Sequence, residues 1–163
     1  TTKDRAEAVE WASKLGRAIG DCDFEVGKTT EEWDITGAPE PPNAPHHYLL
    51  LQKATAASEA GQAPSSSVRA AVDAVKQEMT TAGVLMTAAT LQPSAQATRL
   101  QMSPGKRRVI DGPFSESKEL IGGFAVLELP SKQAVLEFAE RYGTLMLKSV
   151  ATLELDIRPV ADG

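Results

Sequence analysis

Among 163 residues the sequence has one cysteine, Cys22, and two adjacent histidines, His46 and His47. A single cysteine cannot close an internal disulfide, so the fold must be held by its core, as suits a reducing compartment. The histidines have no cysteine or acid near them at ligand spacing and fall short of the four convergent donors of a structural zinc site; no metal is expected. No apolar run reaches the length that spans a bilayer, and the N-terminus shows no signal-peptide pattern, so a cytoplasmic setting is expected. Basic residues are in the minority, and the net charge of −5 excludes a surface built to neutralise nucleic-acid phosphates. There is no phosphate-binding loop, dinucleotide fingerprint or nucleophile elbow, which leaves no cofactor to expect.

What is present divides the chain into three stretches. Asp4 can cap a helix that carries Ala8, Trp11, Ala12 and Leu15 at helical spacing before Gly16 stops it, and an alternating strand from Cys22 to Val26 follows. The start, Thr1-Thr2-Lys3-Asp4, reads like the middle of a domain. The same helix and strand return near the C-terminus. There Ser131 can cap Val135, Phe138, Ala139 and Tyr142 before Gly143, and Leu153 to Ile157 alternates. Glu10, Trp11, Ala12 and Gly16 fall at one fixed offset from Glu137, Phe138, Ala139 and Gly143, the mark of an internal repeat. Residues 1–35 are therefore expected to be a partial repeat, whose missing strands come from the rest of a longer chain or from a neighbour. Residues 36–46 hold four prolines and read as a linker. Residues 47–163 are expected to be one complete domain.

Within that domain Tyr48 to Gln52 reads as a buried strand, 54–67 as a long loop, and Val68 to Ala82 as a helix. Val84 to Met86 starts a second strand. Thr98 to Met102 and Arg107 to Ile110 form a hairpin about Ser103-Pro104-Gly105-Lys106, and 123–129 is a further strand. The order is strand, helix, strand, inserted hairpin, strand, helix, strand. It predicts an α+β, ferredoxin-like domain in which Tyr48 and Leu155 share one sheet.

Between the hairpin and 123–129 runs Asp111-Gly112-Pro113-Phe114-Ser115-Glu116-Ser117-Lys118-Glu119-Leu120-Ile121-Gly122-Gly123-Phe124. Glycine there permits positive φ, proline fixes φ, and Asp111 can accept from amides two residues on. This stretch resembles the motif of the YCII-related family, in its DGPF-motif branch, and the resemblance runs from about His47 to Val160. Gly83-Val84-Leu85 and Leu91-Gln92-Pro93-Ser94 match upstream, and Ile157-Arg158-Pro159 downstream. The resemblance implies ferredoxin-like domains paired into a dimeric α/β barrel, hence a homodimer. It also implies a bacterial setting in which the branch accompanies extracytoplasmic-function sigma factors. The sequence departs from the family pattern at Val72, where relatives carry a histidine, and at Ala88-Ala89-Thr90, where the branch often has Gly-Glu-Gly.

Asp111 is the candidate catalytic residue, as a strand-end carboxylate able to act as general base or ligand acceptor; the alternative is that it caps its own turn. Phe114, Met86, Arg99 and Gln92 are the candidate ligand-binding residues. The first function expected is small-molecule binding, or cofactor-free proton transfer, elimination or isomerisation, in a pocket beside the Asp-Gly-Pro-Phe loop. The second is a non-catalytic dimeric module tied to sigma-factor signalling, with Trp33 as a contact.

Overall fold

Asp4 opens the first helix, α1 (Arg5–Ile19), by accepting the Glu7 amide at 2.9 Å, and Gly20 at φ 99° closes it. Gly16 does not stop the helix as expected. A Cβ there would meet Cys22 Sγ at an ordinary 3.8 Å, so neither sterics nor dihedral angle forces an end. Strand β1 (Phe24–Lys28) is followed by a short helix α2 (Glu32–Thr36), and then β2 (Tyr48–Gln52) pairs antiparallel with β1, Val26 opposite Leu50. A single turn, α3 (Ala56–Glu59), lies in the expected long loop. Helix α4 (Ser66–Thr81) is capped by Ser65 and packs on α1, which also covers β1 and β2. Ala8, Ala12 and Met79 are buried.

In the computed structural model, residues 1–20, 22–113 and 123–161 are described. They fall into two units, Thr1–Ala88 and Ala89–Gly163. The second opens with β3 (Thr90–Leu91) and a 3-10 turn at Ser94–Gln96. Strands β4 (Thr98–Ser103) and β5 (Lys106–Asp111) form the expected hairpin, closed by Pro104 and by Gly105 at φ 71°. Proline followed by a positive-φ glycine is what a tight turn of this length calls for. Helix α5 (Lys132–Met146) is capped by Ser131, whose side chain accepts the Ala134 amide. Strand β6 (Leu153–Ile157) joins the other edge of β4, giving the sheet order β5-β4-β6, and β7 (Val160–Ala161) pairs with β3. Gly143 lies inside α5 instead of ending it. A Cβ there would come within 2.4 Å of Met102 Sδ, so the glycine lets α5 approach β4. Leu100, Ala97, Leu136 and Ala139 form the core of this unit.

Two expectations need correction. Tyr48 and Leu155 stand in separate sheets, because β2 takes β1 as its partner and β6 takes β4. Residues 84–86 and 123–129 have strand-like alternation but form no strand. Alternation makes a segment suitable for a sheet, and only a long-range partner makes it one. The two compact units part after Ala88. The end of the proline-rich stretch is stitched to the N-terminus, since Thr2 and His46 exchange both backbone hydrogen bonds, at 2.9 and 3.0 Å.

Candidate functional site

The two-residue turn at Pro104 and Gly105 fixes the hairpin register, and that register sets Thr98 opposite Asp111 at the open end. Thr98 is fully buried, and its hydroxyl donates to Asp111 Oδ1 at 2.8 Å. Lys132, the first residue of α5, brings its ammonium to the same oxygen, also at 2.8 Å. Among the described residues Oδ2 accepts nothing. The Asp111 side chain is 70% exposed and that of Lys132 56%, so the ion pair faces solvent. The hydrogen bond and charge of Lys132, with the bond from Thr98, hold the Asp111 carboxyl below its ordinary 3.8.

The backbone beside this cluster is closely packed. Gly112 donates its amide to Ala97 at 3.0 Å, and a Cβ on it would lie 1.8 Å from the Ser94 carbonyl oxygen. Glycine at 112 permits positive φ, but that freedom is not what the position uses. Close approach to the 3-10 turn is what requires glycine, since Gly112 is not among the positive-φ glycines. Among the described residues Asp111 accepts from a neighbouring strand and a helix.

Of the other candidate residues, Arg99 and Gln92 have partners of their own. Arg99 sits next to Thr98 on β4 and so projects from the opposite face of the sheet. Its guanidinium is paired with Asp156, at 2.6 and 3.0 Å, and approaches Glu154 at 3.4 Å. Gln92 donates its amide to the Pro159 carbonyl, and its own carbonyl accepts from Arg158 at 2.9 Å. Met86 is exposed and belongs to the first unit. Phe114 lies outside the described residues. Two shallow concavities, of about 600 and 520 Å³, are lined by the hairpin tip (Gln101, Ser103, Gly105, Lys106, Arg107, Arg108) and by α5 (Glu137, Glu140, Arg141, Thr144). Asp111 borders neither.

Sequence reasoning missed Thr98 and Lys132, and it missed the surroundings of the histidines. Thr98 was recoverable by counting back from the hairpin turn; Lys132 had no local signal. The histidines each meet an acid that spacing does not reveal. Glu31 is buried at the start of α2 and accepts the His47 backbone amide at 2.9 Å, while His47 Nδ1 lies 3.0 and 3.1 Å from its two oxygens. His46 Nε2 lies 3.3 Å from Glu40, and Trp33 meets the His46 ring edge to face. The His47 amide, then its side chain and charge, and Thr29 hold the Glu31 carboxyl below 4.5 against the opposing effect of burial. Among the described residues no three His, Cys, Asp or Glu side chains gather as metal ligands. No helix among them is long and apolar enough to cross a membrane.

These features define an α+β protein of small antiparallel sheets, with a charged cluster where a strand end meets a helix start. The chain belongs to the YCII-related domain family, which matches residues 47–152. An uncharacterised protein of Rhizobium meliloti (strain 1021) is 34% identical over 90 residues, covering 55% of this chain and 70% of that protein. No solved structure matches the chain.

Proposed function

We propose that the chain binds a small polar molecule at the Asp111, Thr98 and Lys132 cluster. The observation that carries this reading is the division of labour at Asp111. Oδ1 is held by Thr98 and Lys132, so the carboxylate is oriented, while Oδ2 accepts from none of the described residues. A ligand offering a hydrogen-bond donor to Oδ2 and an anionic group to Lys132 would satisfy both charges at once. Binding fits better than proton transfer, because a carboxylate whose proton affinity is lowered by a neighbouring ammonium is a weak general base near neutral pH. Catalysis by cofactor-free proton transfer, elimination or isomerisation would need the ligand to supply an unusually acidic proton.

The finer family reading is a DGPF-branch member of ferredoxin-like type that acts as a homodimer and carries a degenerate partial repeat at its N-terminus. Its support is the Asp111-Gly112-Pro113 corner at the end of β5. The matched helices add to it: α1 and α5 are both 15 residues long, and their caps, Asp4 and Ser131, keep the offset that relates Gly16 to Gly143.

Titration of the 15N-labelled protein with small amino acids, hydroxy acids and amines tests the binding reading. Saturable shifts at Thr98, Asp111 and Lys132 are expected with compounds that carry both a donor and an acid, and weaker ones with simple amines. Shifts confined to other residues across the series would contradict it.

A further inference from the structure

Strand β5 carries three consecutive basic residues, Lys106, Arg107 and Arg108, in a chain of net charge −5. Alternation along the strand separates them. Arg107 turns to the face of the sheet that α5 covers, where it pairs with Glu140 of that helix. Lys106 and Arg108 turn to the other face, and the hairpin register sets Lys106 opposite Ser103 and Arg108 opposite Gln101. These four residues border the concavity of about 600 Å³ at the hairpin tip.

The acids of this face are engaged elsewhere. Asp156 pairs with Arg99 at 2.6 Å, and Glu154 accepts from the Gln101 side-chain amide at 2.7 Å and lies 3.4 Å from Arg99. Among the described residues of this unit no acid pairs with Lys106 or Arg108, and the Ser103 hydroxyl makes no hydrogen bond. Charge on an edge strand discourages unwanted pairing, but that role requires neither a hollow nor a hydroxyl and an amide beside the charge. Two cations about 7 Å apart along the strand, with polar side chains about 5 Å across from them, form a cradle for one oxyanion. A phosphate monoester suits the cradle better than a carboxylate, because it carries close to two charges and offers three strong acceptors, one each for Lys106, Arg108 and Ser103. Gln101 gives its amide group to Glu154, which leaves its side-chain oxygen to accept from a hydroxyl of the molecule that bears the phosphate.

We propose that this face of the hairpin binds the phosphate group of a small hydroxylated molecule, with Lys106, Arg108 and Ser103 on the phosphate and Gln101 on a hydroxyl. The site lies on the opposite face and at the opposite end of the hairpin from Asp111, so it is independent of the function proposed above. Titration of the 15N-labelled protein with glycerol 1-phosphate, inorganic phosphate, glycerol and sodium chloride, at matched ionic strength, tests it. Saturable shifts at residues 101, 103, 106 and 108 are expected with both phosphates, at lower concentration with glycerol 1-phosphate, and none with glycerol. Lys106→Gln and Arg108→Gln are each expected to weaken binding by about tenfold, the worth of one charge-assisted hydrogen bond. Arg107→Gln removes the same charge from the same strand, but its guanidinium is engaged with Glu140, so affinity is expected to stay unchanged. No saturation, an equal response to sodium chloride, or equal weakening by all three substitutions would overturn the proposal. Equal affinity for inorganic phosphate and glycerol 1-phosphate would assign the cradle to the free ion and overturn the hydroxyl contact at Gln101.

Discussion

A Cβ at residue 112 has no room, since its nearest neighbour is a backbone carbonyl that cannot rotate away. Gly112→Ala is expected to destabilise the 89–163 unit by about 3 kcal/mol or more, the cost of forced overpacking against a rigid partner. Hydrogen exchange would report it as lost protection in β4, β5 and β6 with α1 and α4 unchanged; equal loss in both units would contradict the steric account. At residue 31 the effect is electrostatic. The folded carboxyl of Glu31 is held below 4.5, so its contribution to stability is complete above that value and is lost as pH falls through the lower folded value. Urea unfolding from pH 7 to pH 3 should show Glu31→Gln less stable than the parent near neutrality and converging with it in acid. A constant difference across that range would mean that the pair with His47 acts through shape alone. Asp111 could be singled out in the sequence because a strand-end carboxylate before Gly-Pro can either meet a ligand or cap its own turn. Glu31 could not, because what makes it special is a histidine 16 positions away in sequence.

Elements governed by local chemistry could be read directly. Asp4 and Ser131 cap α1 and α5 as the sequence predicts, and the Pro104-Gly105 turn closes the hairpin. Ser131→Ala should lower stability by about 1 kcal/mol, the usual worth of an N-cap. Its mark is a lower urea midpoint at unchanged slope. No change would mean that the Ala134 amide finds another acceptor. Helix ends set by glycine were misjudged at Gly16 and Gly143, which lie inside α1 and α5, whereas the positive-φ glycines Gly20 and Gly37 close α1 and α2. Strands were legible in composition and not in partnership: the alternation of 123–129 and of β6 is alike, but only β6 finds β4.

At the scale of the whole molecule, the chain was expected to gather Tyr48 with Leu155 in one sheet. Instead the family-matched residues 47–152 are divided between two units, and β2 pairs with a strand that precedes the match. Such long-range choices depend on which edges are charged and which segments are already covered, quantities no local pattern carries. The charged cluster is the point where these levels meet. Register supplies Thr98, the cap supplies the start of α5 and hence Lys132, and the corner supplies Asp111. Whether that carboxylate exists for a ligand or for the fold is decided by Asp111→Asn, which keeps an acceptor for Thr98 and removes the charge. Measured for urea stability and for ligand-induced shifts in the same preparation, the variant should keep nearly all its stability and lose the saturable response. Lost stability with the ligand response intact would contradict the account.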